Sequence, residues 1–139
     1  MIISLEKSLE ENIHEGIKTL EYHIRPQNYP IVNNMINLQI ETLQWVLNKQ
    51  KKNSLESLRH IINFKVKKLE YELKIAKGEI EHTSKIVYQL EMLECCKIII
   101  NWDLQRRTRK EEYNIIHFSN IETIIKQTEQ YSNLESSSF

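Results

Sequence analysis

Glycine and proline are scarce in this chain. It has two of each among 139 residues, about 3% together, where about 12% is usual. Tight turns, bulges and backbone with positive φ depend on these residues, so their scarcity argues against β-sandwiches, barrels and glycine-rich phosphate loops. The composition therefore predicts an all-α protein.

Small side chains and long apolar runs are also scarce. The chain has one alanine against 21 isoleucines and 14 leucines, so its helices must pack through large branched side chains. Apolar runs reach three residues, as at 98–100, whereas a membrane span needs about 20. We therefore expect no membrane partner.

Neither sign of charge is in excess, because 19 basic side chains balance 19 acidic ones. Along the chain the charges are segregated. Residues 49–77 carry +6 and 97–110 carry +4, whereas 1–48, 78–96 and 111–139 carry −3, −3 and −4. This pattern predicts either complementary helices or two basic surfaces on one molecule.

The two cysteines, Cys95 and Cys96, are adjacent. A disulfide between neighbouring residues is strained, so free thiols and a reducing compartment are expected. The first residues also lack the basic stretch and apolar run of a signal peptide. The sequence thus predicts a cytoplasmic protein.

Apolar residues recur every three and four positions near the start, which predicts a first helix over residues 4–24. Its cap is expected at Ser4 or Ser8, and Ser8 with Glu11 fits a capping box. Two prolines within 25–30 predict a break. A second helix is predicted over 31–49.

Asn53, with Glu56 three residues later, is the predicted cap of the next helix. That helix carries a heptad-type apolar seam that includes Ala76 and Thr83. The seam is the predicted surface for self-association or partner binding, and its members are Ile62, Val66, Leu69, Leu73, Ile80, Val87 and Leu90.

Gly78 interrupts this seam and leaves two alternatives. One is a single helix over 54–112, since glycine within a helix costs only about 1 kcal/mol. The other ends a helix at Lys77 and starts the next after Thr83, giving an antiparallel hairpin. We favour the break, because helices near 60 residues are rare in globular domains.

Ser119 with Glu122 predicts a last short helix reaching Tyr131, followed by a flexible, serine-rich tail over 132–139. The whole prediction is a single α-helical domain over 1–131. Its fold is a four- to five-helix bundle around a long central helical hairpin or coiled coil.

Two Glu-x-x-His pairs have the spacing that metal-binding helices of ferritin-like di-iron bundles use. They are Glu11 with His14 and Glu79 with His82. Such a site also needs glutamates from other helices, for which Glu41 and Glu122 are the nominees, and the second pair flanks the seam. We therefore predict no metal site and no cofactor.

Catalytic groups are not supported by their neighbours in the sequence. His60 resembles the histidine of a phosphotransfer hairpin in placement, but isoleucines follow it and no polar neighbour orients it. Asp103 is the only aspartate, and no histidine lies near the cysteines. We predict no catalytic residues and no enzyme activity.

Basic residues cluster in 49–77 and again in 106–110. In the second cluster, Arg106 follows Trp102 by four positions, which allows the guanidinium to stack on the indole. If the hairpin forms, both clusters are expected to share a face that follows phosphates. The predicted nucleic-acid contacts are Lys65, Lys67, Lys68, Trp102, Arg106, Arg107, Arg109 and Lys110.

Two functions follow from these patterns. The first is a non-enzymatic interaction or regulatory protein that self-associates, as a dimer or larger, or docks on a protein partner through apolar helix faces. The alternative is a small helical nucleic-acid-binding subunit that uses the basic residues of 49–77 and 106–110.

Overall fold

The computed structural model describes the backbone of residues 1–116 and the side chains of residues 1–107. Within this range there are α-helices and no strand, which confirms the all-α prediction. The helices are α1 (Leu9–His23), α2 (Pro30–Gln50), α3 (Leu55–Ile75) and α4 (Ile80–Ile116). None of them is long and apolar enough to cross a membrane.

The chain divides into two compact units, Met1–Ile100 and Asn101–Phe139. The helix predicted to open at Ser119 and the tail predicted over 132–139 lie outside the described residues. That residues 1–131 form a single domain stays a prediction.

Helix α1 begins after Ser8 rather than at residue 4. The Ser8 hydroxyl accepts a hydrogen bond from the Glu11 amide at 3.1 Å and donates one to the Glu11 carboxylate at 3.2 Å. Ser8 is therefore the cap, as the capping-box alternative predicts, and the helical start at residue 4 is wrong.

The buried amide of Asn12 explains this late start. Its Oδ1 accepts a hydrogen bond from the Ser4 amide at 2.8 Å. Its Nδ2 donates to the carbonyl oxygens of Ser4, Lys7 and Ser8 at 2.9, 3.2 and 2.9 Å. These bonds hold residues 4–8 as a turn against α1.

The predicted break over 25–30 is confirmed, and two asparagines order the loop. Asn28 Nδ2 donates to the His23 carbonyl at 2.8 Å and to Asn33 Oδ1 at 2.9 Å. Asn33 Nδ2 donates in turn to the Arg25 carbonyl at 2.9 Å. Pro30 then opens α2 at its first position, where its missing N–H costs nothing.

The cap of α3 is Ser54, so the prediction of Asn53 with Glu56 is wrong. The Ser57 amide donates to the Ser54 hydroxyl at 3.2 Å. Asn53 is occupied elsewhere, because its Nδ2 donates to the Lys49 carbonyl near the end of α2 at 2.8 Å.

The chain breaks between α3 and α4 at Gly78, which excludes the single long helix. Gly78 has φ of 94°, a backbone conformation that disfavours any residue with a Cβ atom. Helix α4 starts at Ile80, four residues before the predicted point. The Thr83 hydroxyl donates to the Ala76 carbonyl at 3.3 Å and closes the turn.

Helix α1 packs on α2, and α2 packs on α3. Gly16 on α1 permits a close approach, because an added Cβ would lie 2.7 Å from Met1 Sδ and 3.5 Å from Leu43 Cδ1. The largest fully buried aliphatic side chains come from all four helices, and they are Leu9, Ile13, Leu43, Leu58, Ile62, Ile86, Leu93, Ile99 and Ile100.

Candidate interaction surface

The predicted heptad seam does not form one surface. Ile62, Val66 and Leu69 are buried in the core of the first compact unit. Leu73 and Leu90 are half-buried. The members that face solvent are Ile80, 84% exposed, and Val87, 45% exposed.

The turn at Gly78 explains this division. Residues 76–79 are not helical, so α4 starts with a new rotational phase, and the periodicity of α3 no longer sets which of its residues are buried. Helix α4 buries a different set instead, namely Ile86, Met92, Leu93, Cys96, Ile99 and Ile100.

Opposite its buried side, α3 presents a line of large apolar side chains to solvent. Phe64 is 75% exposed, and Tyr71 and Ile75 are each 65% exposed. Positions seven and eleven residues apart return to nearly the same side of a helix, because two and three turns take about 7.2 and 10.8 residues. We call this surface the outer face of α3, formed by His60, Phe64, Lys67, Lys68, Tyr71 and Ile75.

The cations of this face lie between its two aromatic rings. Lys67 and Lys68 are exposed and follow Phe64 by three and four positions, so they lie on the same side of the helix. The ion pairs found among residues 1–107 join other side chains. Lys65, the third predicted contact, is half-buried and lies to one side.

Helix α4 has a face of the opposite charge. Val87 lies opposite the buried side of α4, and so do Ile80, Glu91, Glu94 and the half-buried Ile98. We call these five residues the outer face of α4. Glu94 also forms an ion pair at 3.6 Å with Lys97, whose side chain is half-buried.

The second basic cluster belongs to the other compact unit. Arg106, predicted to stack on Trp102, forms an ion pair with Asp103, with 2.6 Å between Nη2 and Oδ1. Trp102 is half-buried and Arg107 is exposed. The side chains of Arg109 and Lys110 lie outside those described. That both clusters share one face stays a prediction.

The Glu-x-x-His pairs lie at the surface. Glu11 binds the Ser8 cap, and His14 contacts Glu10 at 3.6 Å. Glu79 and His82 are exposed. Among the described side chains, no three of His, Cys, Asp and Glu are grouped so that they could hold a metal ion.

The two cysteines are free. Burial raises the pKa of the Cys96 thiol from 9.0 to about 12, and burial also raises the pKa of Cys95. Thiolate is the reactive form, so neither side chain has the environment of a catalytic nucleophile.

The sequence pattern pointed to Lys67 and Lys68 of the outer face of α3 but not to its apolar members. A signal for them was present. Phe64, Tyr71 and Ile75 fall opposite the stripe of Ile62, Val66 and Leu69, where a surface helix ordinarily carries polar residues.

Comparison with protein-family models, with curated proteins and with solved structures finds no match for this chain. The function proposed below therefore rests on the chain's own residues.

Proposed function

We propose that this is a non-enzymatic interaction or regulatory protein of the cytoplasm, which binds a protein partner or a second copy through the outer face of α3. One observation carries the proposal: Phe64, Tyr71 and Ile75 are each at least 65% exposed along a single line of a helix. Aromatic side chains bury about 150–250 Å² each when covered, so Phe64 and Tyr71 hold roughly 300 Å² of surface that water now contacts. The largest apolar patch on a soluble monomer typically measures about 300–600 Å² and is often a functional surface.

The proposed surface replaces the predicted seam. Ile62, Val66 and Leu69 pack inside the chain, so a partner would have to unfold α3 to reach them. In the proposed arrangement, α3 and α4 form a hairpin within a helical bundle, with the outer faces of both helices left to partners. The two free thiols support the assignment to a reducing compartment.

A comparative pull-down tests this function. The wild type, the double variant Phe64→Ala/Tyr71→Ala and the control variant Tyr22→Ala serve as baits, since Tyr22 is 70% exposed on α1. We expect bound proteins, or tagged copies of the chain itself, to be retained by the wild type and the control and lost from the double variant. Identical retention by all three baits would contradict the proposal.

Circular dichroism separates loss of binding from loss of fold. Because both aromatic side chains are largely exposed in the single chain, the double variant should keep the helical content of the wild type. It should also keep the unfolding midpoint at protein concentrations too low for self-association.

Nucleic-acid binding is the second candidate function, and the lysines between two exposed aromatic rings favour it. Aromatic rings stack on bases and lysines neutralise phosphates, which is how unpaired strands are held without sequence preference. Lys67 and Lys68 lie beside Phe64 and Tyr71 in this way.

Fluorescence polarisation with labelled single- and double-stranded RNA and DNA, at two salt concentrations, tests this candidate. Lys67→Ala/Lys68→Ala should weaken binding and lower the salt slope by about two. The matched control is Lys18→Ala/Lys85→Ala, which removes two exposed lysines outside both basic segments. An equal loss in both variants would remove the outer face of α3 as the nucleic-acid site.

The second basic cluster has its own test. Replacing Arg106, Arg107 and Arg109 with Ala should also weaken binding if that cluster contacts phosphates, and unchanged binding would exclude it.

A further inference from the structure

We infer that the partner of the outer face of α3 is the outer face of α4 on a second copy of this chain, in a two-fold symmetric dimer. The inference rests on the proposed function and names its partner. In this dimer, each copy contributes both faces, so the same contact forms twice.

Charge complementarity is the first support. The outer face of α3 carries Lys67 and Lys68 and no carboxylate, whereas the outer face of α4 carries Glu91 and Glu94 and no cation. Glu70 and Glu72 lie on the flanks of α3, away from the line of Phe64. The one chain therefore holds both halves of a complementary pair.

The apolar side chains are the second support, because on both faces they lie on either side of the charged pair. On α3, the lysines lie between Phe64 and Tyr71, and Ile75 follows. On α4, the glutamates lie between Val87 and Ile98, and Ile80 precedes them. Apolar contacts on both sides of an ion pair exclude water from it and strengthen it.

Apart from the half-buried Ile98, the residues of both faces are exposed and belong to the same compact unit, so neither face covers the other. A second copy supplies the missing complement to each. A stable interface covers about 800 Å² on each partner, and a dimer that uses two helix faces per copy has twice the surface of a single helix contact. The pair of Glu94 with Lys97 joins an exposed carboxylate to a half-buried amine, and ion pairs near the surface are weak because water and salt screen them.

Sedimentation equilibrium of two charge-reversed variants of the full-length chain, measured alone and as a mixture, tests this dimer. The wild type should reach twice its 16.7 kDa mass. Lys67→Glu/Lys68→Glu places like charges in both contacts, and so does Glu91→Lys/Glu94→Lys; each variant alone should dissociate at least tenfold more readily. An equimolar mixture of the two should recover the wild-type mass, because each contact again joins opposite charges.

The matched control is Lys51→Glu/Lys52→Glu, which makes the same reversal away from both faces and should leave the dimer unchanged. A measurement without variants uses a carbodiimide, which joins an amine to a carboxylate in direct contact. In a mixture of ¹⁴N- and ¹⁵N-labelled wild type, we expect mixed-isotope cross-links between peptides holding Lys67 or Lys68 and peptides holding Glu91 or Glu94.

A wild type that stays at 16.7 kDa at 100 µM or above would overturn the dimer. So would a failure of the mixture to recover, or cross-links confined to single chains. A monomer whose Lys67 and Lys68 bind labelled RNA would overturn it in favour of a nucleic-acid partner. None of these results contradicts the proposed function, which falls only if the pull-down shows no dependence on Phe64 and Tyr71.

Discussion

At the scale of single residues, the buried polar side chain of Asn12 has a structural role. Asn12 is 1% exposed, and its amide bonds four backbone groups of residues 4–8. A polar side chain therefore occupies a position in the core, and its hydrogen bonds fix the residues that precede α1. Lys7 reinforces it by a hydrogen bond to Glu15, which raises the pKa of the Lys7 amine.

Asn12→Ala should lower the free energy of unfolding by about 1–3 kcal/mol, because it leaves buried backbone groups without partners. Urea unfolding followed by circular dichroism measures the change. The control is Asn37→Ala on an exposed site of α2, which should stay within about 0.5 kcal/mol of the wild type. Equal effects in the two variants would contradict the role given to Asn12.

The thiols should react slowly while the protein is folded. With a pKa of about 12 in place of 9.0, Cys96 has about a thousandfold less thiolate at pH 8 than in the unfolded chain. Mass spectrometry after iodoacetamide treatment should show Cys96 unmodified in native protein and modified in denaturant, with Cys95 also slowed. Rapid native alkylation of Cys96 would contradict its burial.

The same raised pKa makes Cys96 stabilise the fold only while the thiol is protonated. This contribution is full below about pH 9 and is lost as pH rises from about 9 toward 12, because the unfolded chain ionises first.

At the scale of elements, four residues between α3 and α4 decide which side chains are buried. The spacing of Ile62, Val66 and Leu69 places them on one side of α3, and the structure buries that side in the core instead of leaving it to a partner as predicted. The same spacing continued across Gly78 reaches Ile80 and Val87, which are exposed. Periodicity holds within a helix and carries no information across a turn, because the turn changes the rotation of the next helix.

Gly78→Ala should destabilise the protein by about 1–2 kcal/mol. The φ of 94° strains any residue with a Cβ atom, although the space around the glycine is open. Thermal unfolding measures the effect, with Lys77→Ala as a neighbouring control that should change little. A Gly78→Ala protein as stable as the wild type would indicate that the turn can relax into helix.

Two substitutions on α3 should separate its buried and outer sides. Ile62→Ala should cost about 2–5 kcal/mol, because Ile62 is fully buried. Phe64→Ala should cost less than about 0.5 kcal/mol despite removing the larger side chain, since Phe64 is 75% exposed. Denaturant unfolding of both variants, at protein concentrations too low for self-association, checks this, and the reverse order would mean that α3 is rotated about its axis.

At the scale of the whole molecule, the basic and acidic residues are equal in number but lie in different segments of the chain. The net charge is zero, yet the basic segment 49–77 holds α3 and the acidic segment 78–96 holds the first part of α4. The sequence leaves two interpretations of this charge pattern open, namely complementary helices and separate basic surfaces. The exposed faces of α3 and α4 support complementarity, between copies of the chain rather than within one.

Salt should therefore weaken self-association. Raising NaCl from 50 to 500 mM screens the ion pairs proposed between Lys67, Lys68, Glu91 and Glu94. Exposed pairs contribute about 0.2–1 kcal/mol each, and the two-fold repeat of the contact brings the expected loss of affinity to about tenfold. Light scattering over a concentration series measures it. Association that strengthens with salt would indicate a purely apolar contact.

The sequence by itself determined the helical class and the break at the prolines. It also favoured the break at Gly78 and offered Ser8 as one of two caps, because these features depend on local backbone preferences and near neighbours. It also located the lysines of the candidate site. Only the tertiary structure decided that Asn12 holds the start of the chain, that Ser54 rather than Asn53 caps α3, and that Phe64, Tyr71 and Ile75 lie outside the core. Each of these depends on the rotation of a helix or on a bond to a distant residue, and local spacing specifies neither.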